Sequence, residues 1–338
     1  MKKSASTSER RESAFPWRLA VICPNPALDI TTVAPAFEPG DTIAGADTVI
    51  RAGGKGTNVA GVASDLGATA TLVAPLGGNA GAGFEHMLDS RLSLKRISVS
   101  GSTRLCLTLM TPGGISEIRG GGPAMSNDEW DAFTEAARDA ASTADAAVVS
   151  GSFPPGIPSS GVDDLVSSLD CPRIYVDTSG AHLTAAASLA DLTIAPNFEE
   201  LCALADRGSE PLLLNPSDRS RQAARLVAQL QQRTKARVLT TLGEAGAGLL
   251  IQGLWYIAVP PEVKGNPVGA GDAALAAFIG AEVSGLPPET ALKRAVAAGA
   301  AAVAQPIAGR VNPEVVELLE LQTTLLNAAA DQADIAVD

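Results

Sequence analysis

Hydrophobic and polar positions along this chain follow two rhythms, and the changes of rhythm mark its elements. Leu19 to Cys23 (LAVIC) is an unbroken apolar run of strand length that ends at a Pro-Asn-Pro turn. Beyond that turn the chain reverses and presents Asp29. From Ile30 to Ile50 come short β-rich pieces, TTVAPAF and TIAGADTVI, broken by Pro and Gly, which predict strands of a small sheet. Asn58 to Leu66 then reads as helix and Ala70 to Pro75 as strand. A second β-rich interruption, Leu105 to Ile118, alternates around Pro-Gly-Gly, and two interruptions of one kind can pair into one small sheet.

From Asp128 the alternation becomes regular. Helix Asp128 to Ser142 is followed by strand Ala146 to Ser150, helix Gly161 to Leu169, and strands Arg173 to Asp177 and Leu192 to Ala195. Helix Ser217 to Thr234 precedes strands Arg237 to Thr241, Gly248 to Ile251 and Trp255 to Val259, and two Ala-rich helices follow Gly271 and Pro288. Such alternation predicts an α/β fold with a mostly parallel sheet covered by helices on both faces. Ligands in that architecture sit beyond the carboxyl ends of the strands. The expected organisation is an N-terminal tail over 1–17, one domain over 18–325 with a lid from about 30–51 and 104–119, and a C-terminal tail over 326–338. No internal repeat interrupts it.

Composition narrows the picture. A chain of 338 residues with 46% hydrophobic content can bury the core of one large α/β domain. Its net charge of −12 argues against broad binding to nucleic acid or an anionic membrane, so any anion must be captured in a local pocket. Cys23, Cys106, Cys171 and Cys202 lie far apart without CxxC spacing and read as apolar thiols of a reduced, cytoplasmic compartment. The opening MKKSASTSERRESAFPW has no apolar core of the kind a secretory signal needs and reads as a disordered tail. The small-apolar run from Ala295 to Gly309 is too short to cross a bilayer.

Two glycine-rich stretches carry the candidate chemistry. In NPVGAGDAALAAF the glycines allow a tight turn, and the N–H groups of Gly269, Ala270 and Gly271, with the first helical turn, form a donor cluster suited to an anion. The same letters also describe an ordinary glycine turn with Asp272 as a stabilising first-turn acid. A carboxylate beside an anion hole repels the anion unless its proton-accepting role requires it there, and phosphoryl transfer supplies that reason. In RAGGKGTNVA, glycines including Gly53 and Gly54 bracket Lys55, and Asn58 follows at a helix entry. That stretch is neither a Walker A loop nor a dinucleotide GxGxxG. It offers a backbone able to approach a polyol or phosphate closely, or it is a flexible turn with a solvated lysine.

Together these stretches resemble, in order and spacing, the two signatures of the ribokinase-like, PfkB-type carbohydrate kinases. Between them PNPALD, Ser102-Thr103-Arg104, SGSFPPG, Ala195-Pro-Asn-Phe-Glu-Glu200 and TLGEAGA are similar to the family's other landmarks, and the match runs over about residues 19–320. NPALD and the Thr-Arg pair are most similar to the hexose-phosphate branch, which includes 1-phosphofructokinases and tagatose-6-phosphate kinases. The resemblance implies a three-layer α/β/α fold with a mostly parallel central sheet and a small β lid, ATP and Mg²⁺ as requirements, and a sugar phosphate as acceptor. It implies Asp272 as catalytic base and the amides of Gly269, Ala270 and Gly271 as oxyanion hole. Asp29, Gly53, Gly54, Lys55, Asn58, Arg104 and Ser152 would bind substrate. Asn197, Thr241, Gly243, Gly246, Gly271 and Ala298 would face ATP, and Glu200 would organise Mg²⁺ through water.

Bland readings stand beside several of these: a solvated strand arginine for Arg104, a plain turn for Ser152, a helix cap for Asn197. Three places depart from the family pattern: Ala195 where a lysine is frequent, Pro267 where a hydroxyl residue is usual, and Leu105-Cys106 after Arg104, where the hexose-phosphate branch tends to show an amide residue nearby. The resemblance implies phosphorylation of a ketohexose monophosphate, fructose 1-phosphate to fructose 1,6-bisphosphate. Fructose 6-phosphate, tagatose 6-phosphate, an unphosphorylated sugar or a nucleoside are alternative acceptors, and a non-catalytic sugar or nucleotide sensor is the alternative outside enzymes. Apolar residues of the lid strands, Val49, Ile50, Leu107 and Leu109, either pack against a second lid in a homodimer or cover the lid's own substrate face.

Overall fold

A computed structural model describes residues 17–329, apart from 39, 41, 43–46 and 206–214. The first half contains β1 (Arg18–Ile22), β2 (Ala27–Val33), β3 (Asp47–Gly53), α1 (Lys55–Asp65), β4 (Thr69–Leu76), α2 (Gly78–Met87), β5 (Ser93–Ser98), β6 (Arg104–Thr111), β7 (Gly114–Arg119), α3 (Asn127–Ala141) and β8 (Ala146–Ser150). The second contains α4 (Ser160–Ser168), β9 (Ile174–Asp177), α5 (Gly180–Ala187), β10 (Leu192–Ile194), α6 (Phe198–Leu204), α7 (Pro216–Arg233), β11 (Arg237–Thr241), β12 (Ala247–Ile251), β13 (Leu254–Val259), α8 (Ala270–Val283), α9 (Pro288–Val303), α10 (Pro313–Gln322) and β14 (Thr324–Ala329).

Among the described residues the large sheet runs β14-β13-β12-β11-β10-β9-β8-β1-β4-β5. Its strands are parallel from β5 to β11 and antiparallel from β11 through β14. Strand alternation divides the core in two. Leu19, Val21, Leu72 and Ala74 point to the side covered by α1, α8 and α9, while Ala20, Ile22 and Val73 join Phe133, Leu165 and Val227 on the side of α3, α4 and α7. This is the three-layer α/β/α arrangement the alternation predicts. Helix α8 is apolar nearly all round, and its alanines let α9 pack closely, with a Cβ at Gly299 reaching 3.1 Å from the Ala270 carbonyl oxygen.

The lid is a separate sheet of order β3-β2-β6-β7, joining the two β-rich interruptions. Its central pair, β2 with β6, is parallel, and the outer pairs are antiparallel. Several boundaries differ from the sequence reading. Asp29 lies within β2 and not in a reversal. The α1 helix begins at Lys55, three residues before Asn58. Trp17 is buried, packing its ring 2.7 Å from where a Cβ on Gly280 would sit, so the N-terminal tail does not extend through 17. Residues 326–329 belong to β14, paired with β13, so the sheet continues where a C-terminal tail was expected. The rest of both tails lies outside the described residues. No described helix is long and apolar enough to cross a membrane.

Candidate active site

The carboxyl ends of the parallel strands and the facing side of the lid enclose a cleft of about 600 Å³. Period-2 alternation turns Asp29 and Thr31 of β2, Arg51 of β3, Cys106 and Thr108 of β6, and Glu117 and Arg119 of β7 into it. From the strand ends come Ser152, Asp177 and Thr241, and from the helix entries come Gly54, Lys55, Asn58, Gly269, Gly271 and Asp272. Sequence segments more than two hundred residues apart thus share one wall, as the Asn58 to Asp272 contact records.

Asp272 occupies the first turn of α8 and is buried at 6% exposure. Burial pushes its carboxyl up to about 6, and the charge of Asp177 adds to that; Lys55, a hydrogen bond from Asn58 and Arg51 act in the opposite direction. The Asn58 amide donates to Asp272 Oδ2 at 2.7 Å. Gly269 caps the helix at φ 82°, in the left-handed region, and a Cβ there would lie 2.8 Å from the Ala308 Cβ, so glycine is required on both counts.

The preceding letters explain Pro267. Asn266 is buried, its backbone N–H donates to the Val303 carbonyl at 2.9 Å, and its Oδ1 accepts from the Val268 N–H at 3.1 Å. That Asx turn needs no N–H at position 267. The Pro267 carbonyl in turn accepts from Ala270 N–H at 3.1 Å, which engages one of the three amides expected in the anion hole. Among the described residues no protein partner engages the amides of Gly269 and Gly271.

Cations share the cleft with Asp272. Lys55 Nζ donates to Asp177 Oδ1 at 2.8 Å. Burial works to lower its ammonium, but Asp177, Asp272 and Glu200 outweigh burial and hold it above its ordinary value. Arg104 donates through Nη2 to the Asn25 carbonyl at 2.8 Å and through Nη1 to that of Gly120 at 3.3 Å, while its buried Nε has no partner. Asn25 Nδ2 reaches Ser152 Oγ at 3.1 Å. Asp29 is paired with Arg51 at 2.9 Å; burial raises its carboxyl and Arg51 opposes that.

Other predicted residues fall elsewhere. Gly53 lies against Asp29 and not on the cleft surface: a Cβ there would sit 2.0 Å from Asp29 Oδ2. Asn197 and Glu200 line the cleft but form a capping box at α6, with Asn197 N–H on Glu200 Oε2 at 3.0 Å and Glu200 N–H on Asn197 Oδ1 at 2.9 Å. The Asn197 side-chain oxygen is therefore used by the helix. Thr241 reaches the cleft, whereas Gly243 and Gly246 form the turn before β12, closed by Leu242 N–H on the Gly246 carbonyl at 2.8 Å. Ala298 is fully buried in α9 and is a packing residue, which corrects its assignment as a surface for adenine. Among the described residues no group of three acid, His or Cys side chains could hold a metal ion.

Two residues of the site were missed by the sequence reading. Asp177 ends the apolar strand IYVD at the sheet's carboxyl edge, and that position was the available signal. Arg51 precedes the glycines as an apparent strand residue, and nothing local to it signals a pocket.

Comparisons with known proteins accord with this geometry. The model of the pfkB family of carbohydrate kinases matches residues 25–314. A 1-phosphofructokinase from Haloferax volcanii is 32% identical over 311 residues, covering 90% of this chain and 96% of that protein. An ATP-dependent 6-phosphofructokinase isozyme 2 from Escherichia coli is 30% identical over 284 residues, covering 82% and 89%. The crystal structure of phosphofructokinase-2 from Escherichia coli in complex with fructose-6-phosphate superposes with a TM-score of 0.78 at 28% identity, covering 91% of this chain and 98% of that one.

Proposed function

The chain belongs to the pfkB family of carbohydrate kinases, and from that premise we propose that it moves the γ-phosphoryl group of ATP to a hydroxyl of fructose 1-phosphate, giving fructose 1,6-bisphosphate. The observation that carries this reading is a buried carboxylate, Asp272, at a helix N-terminus whose free amides face a cleft rimmed by Lys55, Arg51 and Arg104. The likeness to a named 1-phosphofructokinase supports the choice of acceptor.

In this reading Asp29 and Asn58 orient the sugar, and Arg104 takes the phosphate it already carries, through an unpaired buried Nε and a planar fork suited to phosphate. The acceptor hydroxyl attacks the γ-phosphorus; the bond to the ADP oxygen breaks, and the hydroxyl proton passes to the Asp272 carboxylate. The Gly269 and Gly271 amides and the positive end of α8 stabilise charge on the transferring group. Lys55 sits where it can neutralise phosphate while held by Asp177. Asp177 and Glu200 both line the cleft, and Glu200 keeps one oxygen outside the capping box, so magnesium carried on the nucleotide phosphates would meet Glu200 through water. Closure of the lid excludes water and suppresses ATP hydrolysis.

The lid also supports a homodimer. Ile50, Ile30, Leu107 and Ile118 stand in register as one row across all four strands, with Ile118 at 69% exposure and Ile50 at 44%. A second lid would cover that row. Val49 lies in the register of Thr31 and Thr108, on the cleft side.

An ADP-release assay over sugars and sugar monophosphates, with Mg²⁺ present, tests the acceptor. Fructose 1-phosphate should give the highest kcat/KM, and Arg104→Ala should reduce it tenfold or more, roughly the worth of a charge-assisted contact. Fructose 6-phosphate is the second reading, on the strength of the 30% identical 6-phosphofructokinase. A best acceptor without phosphate, or one indifferent to Arg104→Ala, would overturn the sugar-phosphate assignment.

A further inference from the structure

One continuous hydrogen-bond chain crosses the cleft from lid to base. Asp29 Oδ2 accepts from Arg51 Nη2 at 2.9 Å, Asn58 Oδ1 accepts from Arg51 Nη1 at 3.0 Å, and Asn58 Nδ2 donates to Asp272 Oδ2 at 2.7 Å. Two of these residues, Asp29 and Arg51, belong to the lid; the other two belong to helices of the main body.

We propose that Arg51 is a positioning residue that makes the catalytic base depend on the lid, by fixing the orientation of the Asn58 amide that holds Asp272. The inference rests on the assignment of Asp272 as base. Its physical content lies in donor and acceptor counting. A guanidinium has donors only, so the Asn58 atom that meets it must be the oxygen, and the NH₂ must then turn to Asp272. With Arg51 in place the amide has one satisfied orientation. Without it the oxygen loses its charged partner, only the bond to the carboxylate itself still selects the amide's orientation, and Asp272 is aimed less firmly. The space around that oxygen is already tight, since a Cβ on Gly309 would approach it to 2.8 Å.

Because Arg51 rides on β3, displacement of the lid withdraws the guanidinium from Asn58. The base is then correctly aimed only when the sugar-binding sheet is seated. The same guanidinium pairs with Asp29 at 18% and 17% side-chain exposure, so the group that recognises sugar and the group that accepts its proton share one neighbour. Arg51 itself need not touch the reacting atoms.

A double-mutant cycle tests this, run with whichever acceptor gives the highest kcat/KM, so that an error in the acceptor does not affect it. Turnover numbers at saturating acceptor and ATP are compared for the wild type, Arg51→Gln, Asn58→Ala and the double variant. Arg51→Gln should lower kcat about tenfold to a hundredfold, the range for losing a hydrogen bond within a charged network. The double variant should then be no worse than the poorer single variant within about twofold, because both changes break one chain. Arg51→Lys, whose single ammonium reaches one partner at a time, should recover part of the loss and also serves if Arg51→Gln melts early.

The pH profile gives an independent readout. Asp272 is faced by Asp177 from β9, by Lys55 and Asn58 from α1 and by Arg51 from β3. Arg51→Gln removes a positive charge that favours the carboxylate, so the acid limb of kcat should move to higher pH. Losses that multiply in the double variant, or a change confined to KM with kcat and its acid limb intact, would overturn the proposal. Undiminished turnover by Asp272→Asn would instead overturn the base assignment on which it rests.

Discussion

Lys55 and Asp177, 122 residues apart in the chain, meet at 2.8 Å on the floor of the cleft. The cation assigned to phosphate is therefore held by an acid that also acts on the base, since the charge of Asp177 helps to raise the Asp272 carboxyl. Two of the site's charges are tuned by one side chain that the glycine motifs do not contain.

Asp177→Asn removes a negative charge beside Asp272 and so favours ionisation of the base. The acid limb of kcat, set by Asp272, should move down by several tenths of a unit to about one unit. A rate profile between pH 4.5 and 8, about the span a carboxylate titration needs, reads the shift. A limb that stays or rises would mean that Asp177 does not act on the base.

Asp272→Asn should inactivate and stabilise at once. The native carboxyl titrates near 6 against an ordinary value of 3.8, so the ionised form costs the fold free energy. That cost is full above pH 6 and disappears below the unfolded value. The variant should gain roughly 1–3 kcal/mol at pH 8 and little at pH 4, while kcat falls at least about a hundredfold. Thermal melts at the two pH values, beside the rate, decide it.

Gly53→Ala places a methyl group 2.0 Å from Asp29 Oδ2. The carboxylate has to swing away from Arg51 or the lid strand has to shift. The expected result is a KM for the acceptor raised tenfold or more, the scale of one displaced polar contact, with the KM for ATP changed little. Equal changes in both constants would place the effect outside the sugar side.

Asp65 is a buried acid that accepts from Arg91 at 2.9 Å, from Arg310 at 3.0 Å and from the Val311 N–H at 2.9 Å. It ties the end of α1 to the segment holding Ile307 and Ala308 on the cleft wall. Asp65→Ala should lower stability by about 1–3 kcal/mol, both arginines being partly solvated, and denaturant unfolding measures it.

Much of the fold was legible because its strands are apolar and its helices periodic. Ala146–Ser150 and Arg237–Thr241 form where the pattern predicts, and α8 follows from its alanine run. Some elements not anticipated have a weak local signal, whereas α10 went unread although Asn312, Pro313 and an apolar run mark it. In α2, glycines at 78, 81 and 83 oppose helix formation, and packing against Leu76 and Thr103 decides the outcome. The strand β5 is an edge with Lys95 and Arg96 in it, and β14 is a short edge strand whose partner precedes it by a whole helical layer. Within the site, Asp272, Lys55, Asn58 and Arg104 were legible from motifs. Arg51 was not, because its role comes from partners on β2 and α1 that only the folded lid brings near. Asn197 and Glu200 carried a helix-cap signature as strong as any functional one, and the cap is made.

The parallel pairing of β2 with β6 has a consequence for how the molecule is built. Residues 27–33 find their partners only 77 residues further on, after β3, α1, β4, α2 and β5 have been synthesised. A sheet closed in that way cannot form as an autonomous hairpin; it waits for the first α/β units to collapse and bring its halves into register. With the lid as the proposed acceptor-binding sheet, acceptor recognition is a late product of folding. In mild denaturant the lid's amides should exchange with solvent before those of β1, β4 and β8, so a chain that is still mostly native stops binding sugar first.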